Sequence, residues 1–303
     1  MQINSLSTSF ILTADIGGSH ITAGICHLDS YSILTQSIIR VEVDSKGSAE
    51  SILARWESAF EQVLQKNITA SVSGLSIAMP GPFDYEKGIS YIKGLDKYEA
   101  LYGLDVKRHL ADLLNIDPRV ILFRNDAEST IAGEVLSGAG KNYQRVIGVT
   151  LGTGFGSAYS ENGITRDLNL GSDPYKGSIA DDYLSTRWFL KRYFELAGVH
   201  LTGVKELAAL APGSVIARDI FIEFANNMSE FLSGPIAQYD PDVLVICGNI
   251  AKAAGFFIPQ LTKNIASIPI KLAQLGENAP LIGAAAMFDN PDNQPSINSV
   301  TKL

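Results

Sequence analysis

The sequence predicts an α/β protein built from two similar halves. Three observations carry that reading. An apolar strand runs into Gly17-Gly18 and a second strand follows at once; the same strand–glycine turn–strand order returns at Leu151 to Ser157. Strand-like runs alternate with amphipathic helical ones along most of the chain. At 303 residues there is enough chain for two domains, each with a sizeable core. Two halves facing each other across a cleft would bring both glycine turns to one ligand.

The elements follow in order. Phe10 to Ile16 reads as an apolar strand, Ile21 to Cys26 as an alternating one, and Ser32 to Val43 as the third strand of a meander. Ala49 to Lys66 places Ile52, Trp56, Ala59, Phe60 and Val63 at helical spacing. Val72 to Met79 is a buried strand ended by Pro80-Gly81-Pro82, which cannot continue a ladder. A helix over Asp105 to Leu114 precedes a strand, Val120 to Phe123, that leads into Arg124-Asn125-Asp126. The second round has a helix at Ala127 to Leu136, a strand at Arg145 to Leu151 and another from Ser157. Helices are expected at Ile179 to Ala197 and at Val215 to Tyr239, after the stop at Pro212-Gly213. A strand at Asp242 to Cys247 and a helix at Ala251 to Ile265 complete the half, and Asn290 to Leu303 reads mostly as a tail.

Composition narrows the function. With 46% hydrophobic and 18% charged residues, a mainly disordered chain is excluded. The formal charge is −8, with no basic block to track a phosphate backbone, so nucleic acid is not the expected partner. Cys26 and Cys247 are far apart and form no CxxC pair, which excludes a disulfide framework and a cysteine-built zinc site. Two buried thiols in a reducing cytosol are expected. Met1 to Thr8 carries no basic residue before Phe10-Ile11-Leu12, and no run approaches the ~18 apolar residues of a spanning helix. The expectation is a cytoplasmic protein with no membrane partner.

Two glycine turns carry the chemistry. In Asp15-Ile16-Gly17-Gly18-Ser19 the glycines let a phosphate approach the backbone, and Asp15 can hold hydrated Mg²⁺ against it. A Gly-Gly pair equally suits a type I′ hairpin turn. Gly152-Thr153-Gly154-Phe155-Gly156 has a strand after it, so it is no Rossmann fingerprint, and it lacks the Gly-Lys-Ser/Thr of a P-loop. Its alternating glycines fit a polyphosphate better than a tight hairpin. Asn125-Asp126 alone reads as a helix N-cap; beside two phosphate loops it reads as a general base, Asp126, with Asn125 donating to a neighbouring hydroxyl. Gly248-Asn249 is a strand-to-helix turn that suits either close packing or a flat base lying along the backbone. None of the four histidines forms an HxxxH or HxxE pair, so no transition-metal site is expected.

Asp-Ile-Gly-Gly-Ser at 15–19, Pro-Gly-Pro at 80–82, Asn125-Asp126, Leu-Gly-Thr-Gly-Phe-Gly at 151–156 and Gly248-Asn249, in that order, resemble the ROK sugar kinases over roughly residues 10–290. The resemblance implies a two-domain actin/hexokinase-like ATPase fold with ribonuclease H-like halves. Residues 1–124 would form a smaller domain and 125–289 a larger one, with the segment 290–303 a candidate to pack back on the first. It implies an ATP- and Mg²⁺-dependent kinase of a hexose or N-acylhexosamine, acting at the 6-hydroxyl, and a homodimer. Asp15, Gly17, Gly18 and Ser19 would form the first phosphate loop, with Mg²⁺ reached from Asp15 through water. Gly152, Thr153 and Gly154 would form the second, with Gly248 and Asn249 beside adenosine. Asp126 would be the base, and Gly81 and Asn125 would line the sugar site.

Two departures stand out. Where the family has Glu-x-Gly-His and a Cys-rich zinc loop, this chain has Asn169-Leu170-Gly171-Ser172 and no Cys-rich loop after it. Zinc is therefore not expected, and Asn169 and Ser172 replace two usual sugar contacts. Asp181, in Ala180-Asp181-Asp182-Tyr183, would stand in for a sugar-binding glutamate on an arm one methylene shorter. A catalytically weak, sugar-sensing member of the family is the rival expectation. The family's repressors carry a DNA-binding region ahead of the core, and Asp15 leaves no room for one in this sequence.

Overall fold

A computed structural model describes residues 10–67 and 71–290. The first run is β1 (Phe10–Ile16), β2 (His20–His27), β3 (Ser32–Ile33), β4 (Ile39–Glu42), α1 (Ala49–Lys66), β5 (Leu75–Met79), β6 (Phe83–Asp84), β7 (Ile89–Ser90), α2 (Val106–Leu114), β8 (Ile121–Asn125) and α3 (Asp126–Ser137). The second is β9 (Arg145–Leu151), β10 (Phe155–Glu161), β11 (Ile164–Asp167), β12 (Pro174–Tyr175), β13 (Ser178–Ile179), α4 (Thr186–Ala197), α5 (Val204–Leu210), α6 (Val215–Tyr239), β14 (Val243–Cys247), α7 (Ala254–Asn264), β15 (Ile270–Leu272) and α8 (Asn278–Ala285).

The chain divides into two compact units. One runs up to Gly133 and resumes at Glu277; the other is Glu134–Gly276. The boundaries drawn from the sequence were 124/125 and 289/290. They differ because α8 packs on the first sheet and most of α3 packs with α8. Cβ atoms on Gly133 and Gly283 would come within 2.1 Å of Ala279 O and 1.8 Å of Ser129 O, so α3 and α8 meet backbone to backbone. Thr13 Oγ1 adds a hydrogen bond to Leu281 O at 2.8 Å. The expected tail lies, beyond Asn290, outside the described residues.

In the first unit the sheet order is β3-β2-β1-β5-β8, with β4 also on β2. β1 pairs antiparallel with β2, while β1, β5 and β8 run parallel. Ile52, Trp56 and Phe60 of α1 join Leu12, Ile25, Leu75 and Ile77 in its core. The second unit repeats the scheme with β11-β10-β9-β14-β15, where β9 and β10 are antiparallel and β9, β14 and β15 parallel. Its core sets Phe189, Phe221, Phe224 and Phe257 against Ile147, Val149, Leu244 and Ile246. Glu134, fully buried, accepts backbone hydrogen bonds from Ala139, Gln274 and Leu275, so both ends of this unit are tied to one carboxylate.

Three expected elements are redrawn. The strand Ser32 to Val43 is broken by a turn at Thr35–Ser37, because the buried Ser37 hydroxyl accepts from Ile25 N (2.8 Å) and takes a ladder position. The helix expected from Ile179 starts at Thr186, since Ser178–Ile179 pairs with Pro174–Tyr175 and Ala180–Asp182 forms a 3₁₀ turn. The helix expected from Ala251 likewise begins as a 3₁₀ turn, Asn249–Ala253. Two helices escaped the sequence reading. α5 is only 7 residues long, and α8 is buried on all sides, so neither shows an apolar stripe.

Candidate active site

Parallel strands collect functional groups at their carboxyl ends, where the chain leaves the sheet. In the first unit Asp15 lies opposite Ala78, and Met79 lies opposite Asn125. The glycine turn after β1, the Pro80-Gly81-Pro82 turn after β5 and Asn125-Asp126 at the end of β8 therefore share one sheet edge.

Gly17 N donates to His20 O at 2.9 Å, leaving Gly18-Ser19 as a two-residue turn. Neither has positive φ, so this is not the type I′ turn that a Gly-Gly pair suggests. A Cβ on Gly18 would meet nothing within 4 Å. Folding alone does not require glycine there. Tyr98, absent from the sequence reading, braces the turn by donating to Gly17 O at 2.5 Å. A cavity of about 520 Å³ beside it is lined by Ser19, His20, Arg40, Glu42, Asp44 and Arg55. Arg40 bonds both oxygens of Glu277 (3.0 and 3.1 Å) and approaches His20 Nδ1 at 3.4 Å. Burial, then Arg40, holds His20 below the usual histidine range.

Asp15 is pushed up to about 7 by burial first, then by the charges of Asp126 and Glu277, with Arg40 opposing. Surplus negative charge of this kind suits a hydrated Mg²⁺ carried by phosphates, which needs only one or two protein carboxylates. Among the described residues no group of three or more His, Cys, Asp or Glu side chains is placed to hold a metal by itself.

Both Asn125 and Asp126 bond the first turn of α3. Asn125 Oδ1 accepts from Glu128 N at 3.0 Å, so Asn125 is the helix cap. Asp126 is the first residue of α3 and its Oδ1 accepts from Ala127 N at 2.9 Å. Asn125 Nδ2 donates to the hydroxyl of Tyr85 (3.1 Å), another residue the sequence did not signal.

In the second unit the glycine loop between β9 and β10 is held from outside. Gly152 O accepts from both the N–H and the hydroxyl of Thr186, each at 2.8 Å. Thr153 O accepts from Arg187 Nη1 at 3.1 Å. Asp181 Oδ1 accepts from Phe155 N at 2.5 Å, and its other oxygen pairs with Arg187. Asp181, for which the resemblance implies a sugar contact, thus braces the loop. The reason is packing: Gly154 brings the loop so near that a Cβ there would lie 3.1 Å from Asp181 Oδ1. Gly152 has open space around it and no positive φ, as Gly18 does.

Gly248 sits at φ +90, and a Cβ would come within 2.3 Å of Leu151 O, so close packing by itself requires glycine. Next to it Asn249 Oδ1 accepts from Lys252 Nζ at 2.8 Å. Thr186, Val204, Ala208, Asn249 and Ile250 help line a cavity of about 410 Å³. Asn169, at φ +49, and Ser172 are exposed and joined by a 3.3 Å hydrogen bond. Gly171 between them packs on β10, where a Cβ would lie 2.5 Å from Phe155 O.

Two α/β units, each with an antiparallel strand pair extended by parallel strands and a glycine turn at the pair, define the actin/hexokinase-like ATPase class. A ROK family glucokinase from Streptomyces griseus, solved with glucose and AMPPNP, has this fold: TM-score 0.73, 20% identity, 92% of this chain and 98% of that one covered. The ROK family profile matches residues 11–167, and the chain belongs to that family. It is 22% identical to an N-acetyl-D-glucosamine kinase of Haemophilus influenzae over 90% of this chain and 97% of that one. A glucokinase of Thermotoga maritima is 21% identical, with coverages of 92% and 96%. Both free cysteines are buried, and among the described residues no helix is long and apolar enough to cross a membrane.

Proposed function

We propose that this chain is an ATP-dependent kinase that transfers the γ-phosphoryl group to the 6-hydroxyl of a hexose or N-acylhexosamine. The observation that carries it is the Asn125–Asp126 arrangement: the asparagine side chain caps α3, and the carboxylate of Asp126, which accepts from Ala127 N, starts that helix at the sheet edge shared with the first glycine turn. Asp126 takes the proton of the attacking hydroxyl, and Asn125, Gly81, Asn169 and Ser172 contact the sugar. Backbone N–H groups of Gly18, Ser19, Thr153 and Gly154 hold the phosphates, while Gly17 and Gly152 close the two loops by donating to His20 O and Gly154 O, and Gly248 and Asn249 lie along the adenosine. Asp15 would hold Mg²⁺ through water, and the metal would supply positive charge against the phosphates. Phosphoryl transfer asks mainly for positioning and charge stabilisation, which rigid loops supply.

The relatives support this reading, since those compared are named as kinases of glucose and N-acetylglucosamine. The glycines at 18 and 152, beside which a Cβ would meet nothing within 4 Å, leave the backbone of both turns open to a ligand. An ATP substrate fits a cytoplasmic site of action, and the family supports a homodimer. ATP turnover against a panel of glucose, mannose, N-acetylglucosamine and N-acetylmannosamine is the test. Sugar-dependent ADP release with a 6-phosphate product is expected. Sugar binding without turnover would support the sensor instead.

A further inference from the structure

We infer that Tyr85 is a positioning residue for substrate: its hydroxyl sets the amide of Asn125 in the orientation that donates to a sugar hydroxyl. The inference rests on the kinase reading above and names a specificity element within the same site.

The two ends of an asparagine amide are chemically distinct, and hydrogen bonding tells them apart. The end of Asn125 near α3 receives the N–H of Glu128 at 3.0 Å, so it is the oxygen. The other end, 3.1 Å from the Tyr85 hydroxyl, is the nitrogen, which only donates. Tyr85 gives its own proton to Met79 O at 3.1 Å, an atom that only accepts. The chain therefore runs one way, from Asn125 through Tyr85 to Met79. Met79 and Asn125 are register partners on β5 and β8, so the phenol ties together two strand ends at the site edge.

Other features keep the hydroxyl in place. The Tyr85 ring packs on Phe83 (5.5 Å between centroids), which packs on Phe123 (5.0 Å). A Cβ on Gly81 would lie 3.1 Å from the hydroxyl, so glycine at 81 makes the room that Tyr85 occupies. An amide nitrogen carries two N–H groups. Tyr85 takes one, and the plane it fixes directs the second, immediately before Asp126 in the chain. Without the phenol the amide is held only by its oxygen and can swing about that contact.

Tyr85→Phe keeps the ring and deletes the hydroxyl. Losing one hydrogen bond worth about 1–2 kcal/mol corresponds to a rise in sugar KM of about 5- to 30-fold. The KM for ATP, and kcat at saturating sugar, should stay within about twofold. In a double-mutant cycle, Tyr85→Phe should add little to Asn125→Ala, because both remove one contact. Calorimetric sugar binding gives a readout independent of turnover. A merely structural hydroxyl would lower Tm and leave sugar KM and affinity unchanged, and that result overturns the inference while wild-type turnover upholds the kinase reading. A wild-type protein that neither turns over nor binds any sugar of the panel overturns both.

Discussion

The carboxylate of Asp181 accepts the backbone N–H of Phe155 at 2.5 Å while pairing with Arg187, whose guanidinium also donates to Thr153 O. One acidic side chain thus braces the second glycine loop from both ends. Charged hydrogen bonds of this kind are worth about 1.5–3 kcal/mol. Asp181→Ala should weaken ATP binding by about tenfold or more and leave sugar KM near wild type. A change confined to sugar KM would return Asp181 to the sugar site.

Asp126→Asn should lower kcat by about 10²–10⁴-fold, the usual worth of a general base, while both substrates still bind. Its Tm should barely move, because the cap is Asn125. Asn125→Ala should lose the cap and cost about 0.5–2 kcal/mol of stability. Kinetics and thermal melts on both variants separate the two roles, and near-normal turnover in Asp126→Asn would remove Asp126 from the chemistry.

Glycines at 18 and 248 should behave in opposite ways. Alanine at 18 meets open space without a left-handed backbone, so Gly18→Ala should hold or slightly raise Tm while ATP affinity falls by about tenfold. Gly248→Ala combines φ +90 with a contact of 2.3 Å to Leu151 O and should lower Tm sharply. Melting curves with and without ATP check both.

Asp15 gives a stability signature in metal-free buffer. Its folded-state pKa of about 7 exceeds the ordinary 3.8, so folding favours the protonated form. That contribution is fully present below the unfolded value and is lost as pH rises through about 7. Asp15→Asn should therefore gain on wild type between pH 4 and 7 and keep its lead above. Tm measured across that range in chelator is the check; parallel curves would mean that Asp15 is not held as described.

Stability should not depend on zinc. The hairpin β12–β13 is fastened to α6 by side chains: Lys176 Nζ bonds Asn227 Oδ1 (2.8 Å) and Glu230 (2.9 Å), and the Tyr175 hydroxyl donates to Asn227 O at 3.2 Å. Chelator should leave Tm unchanged. Stoichiometric zinc in elemental analysis, on protein purified without metal resin, would contradict this.

Local pattern sufficed wherever a segment's neighbours are its own chain. α1 at Ala49–Lys66, β9 at Arg145–Leu151 and α6 at Val215–Tyr239 follow the sequence reading to the residue, because a steady apolar period and flanking stop signals define them. The two glycine turns and Asn125-Asp126 were legible as short runs of distinctive composition between strands and helices, although Gly17-Gly18 does not form the type I′ turn that its composition suggests. What the tertiary structure alone decided is which groups those runs meet. Asp181 reaches Phe155 across 26 positions, Tyr98 reaches Gly17 across 81, and Thr13 reaches Leu281 across 268. No periodicity encodes such pairs. A carboxylate or phenol is free to bond a loop, a sugar or water, and the choice is made by the packing of sheets and helices that carries one group to within about 3 Å of another.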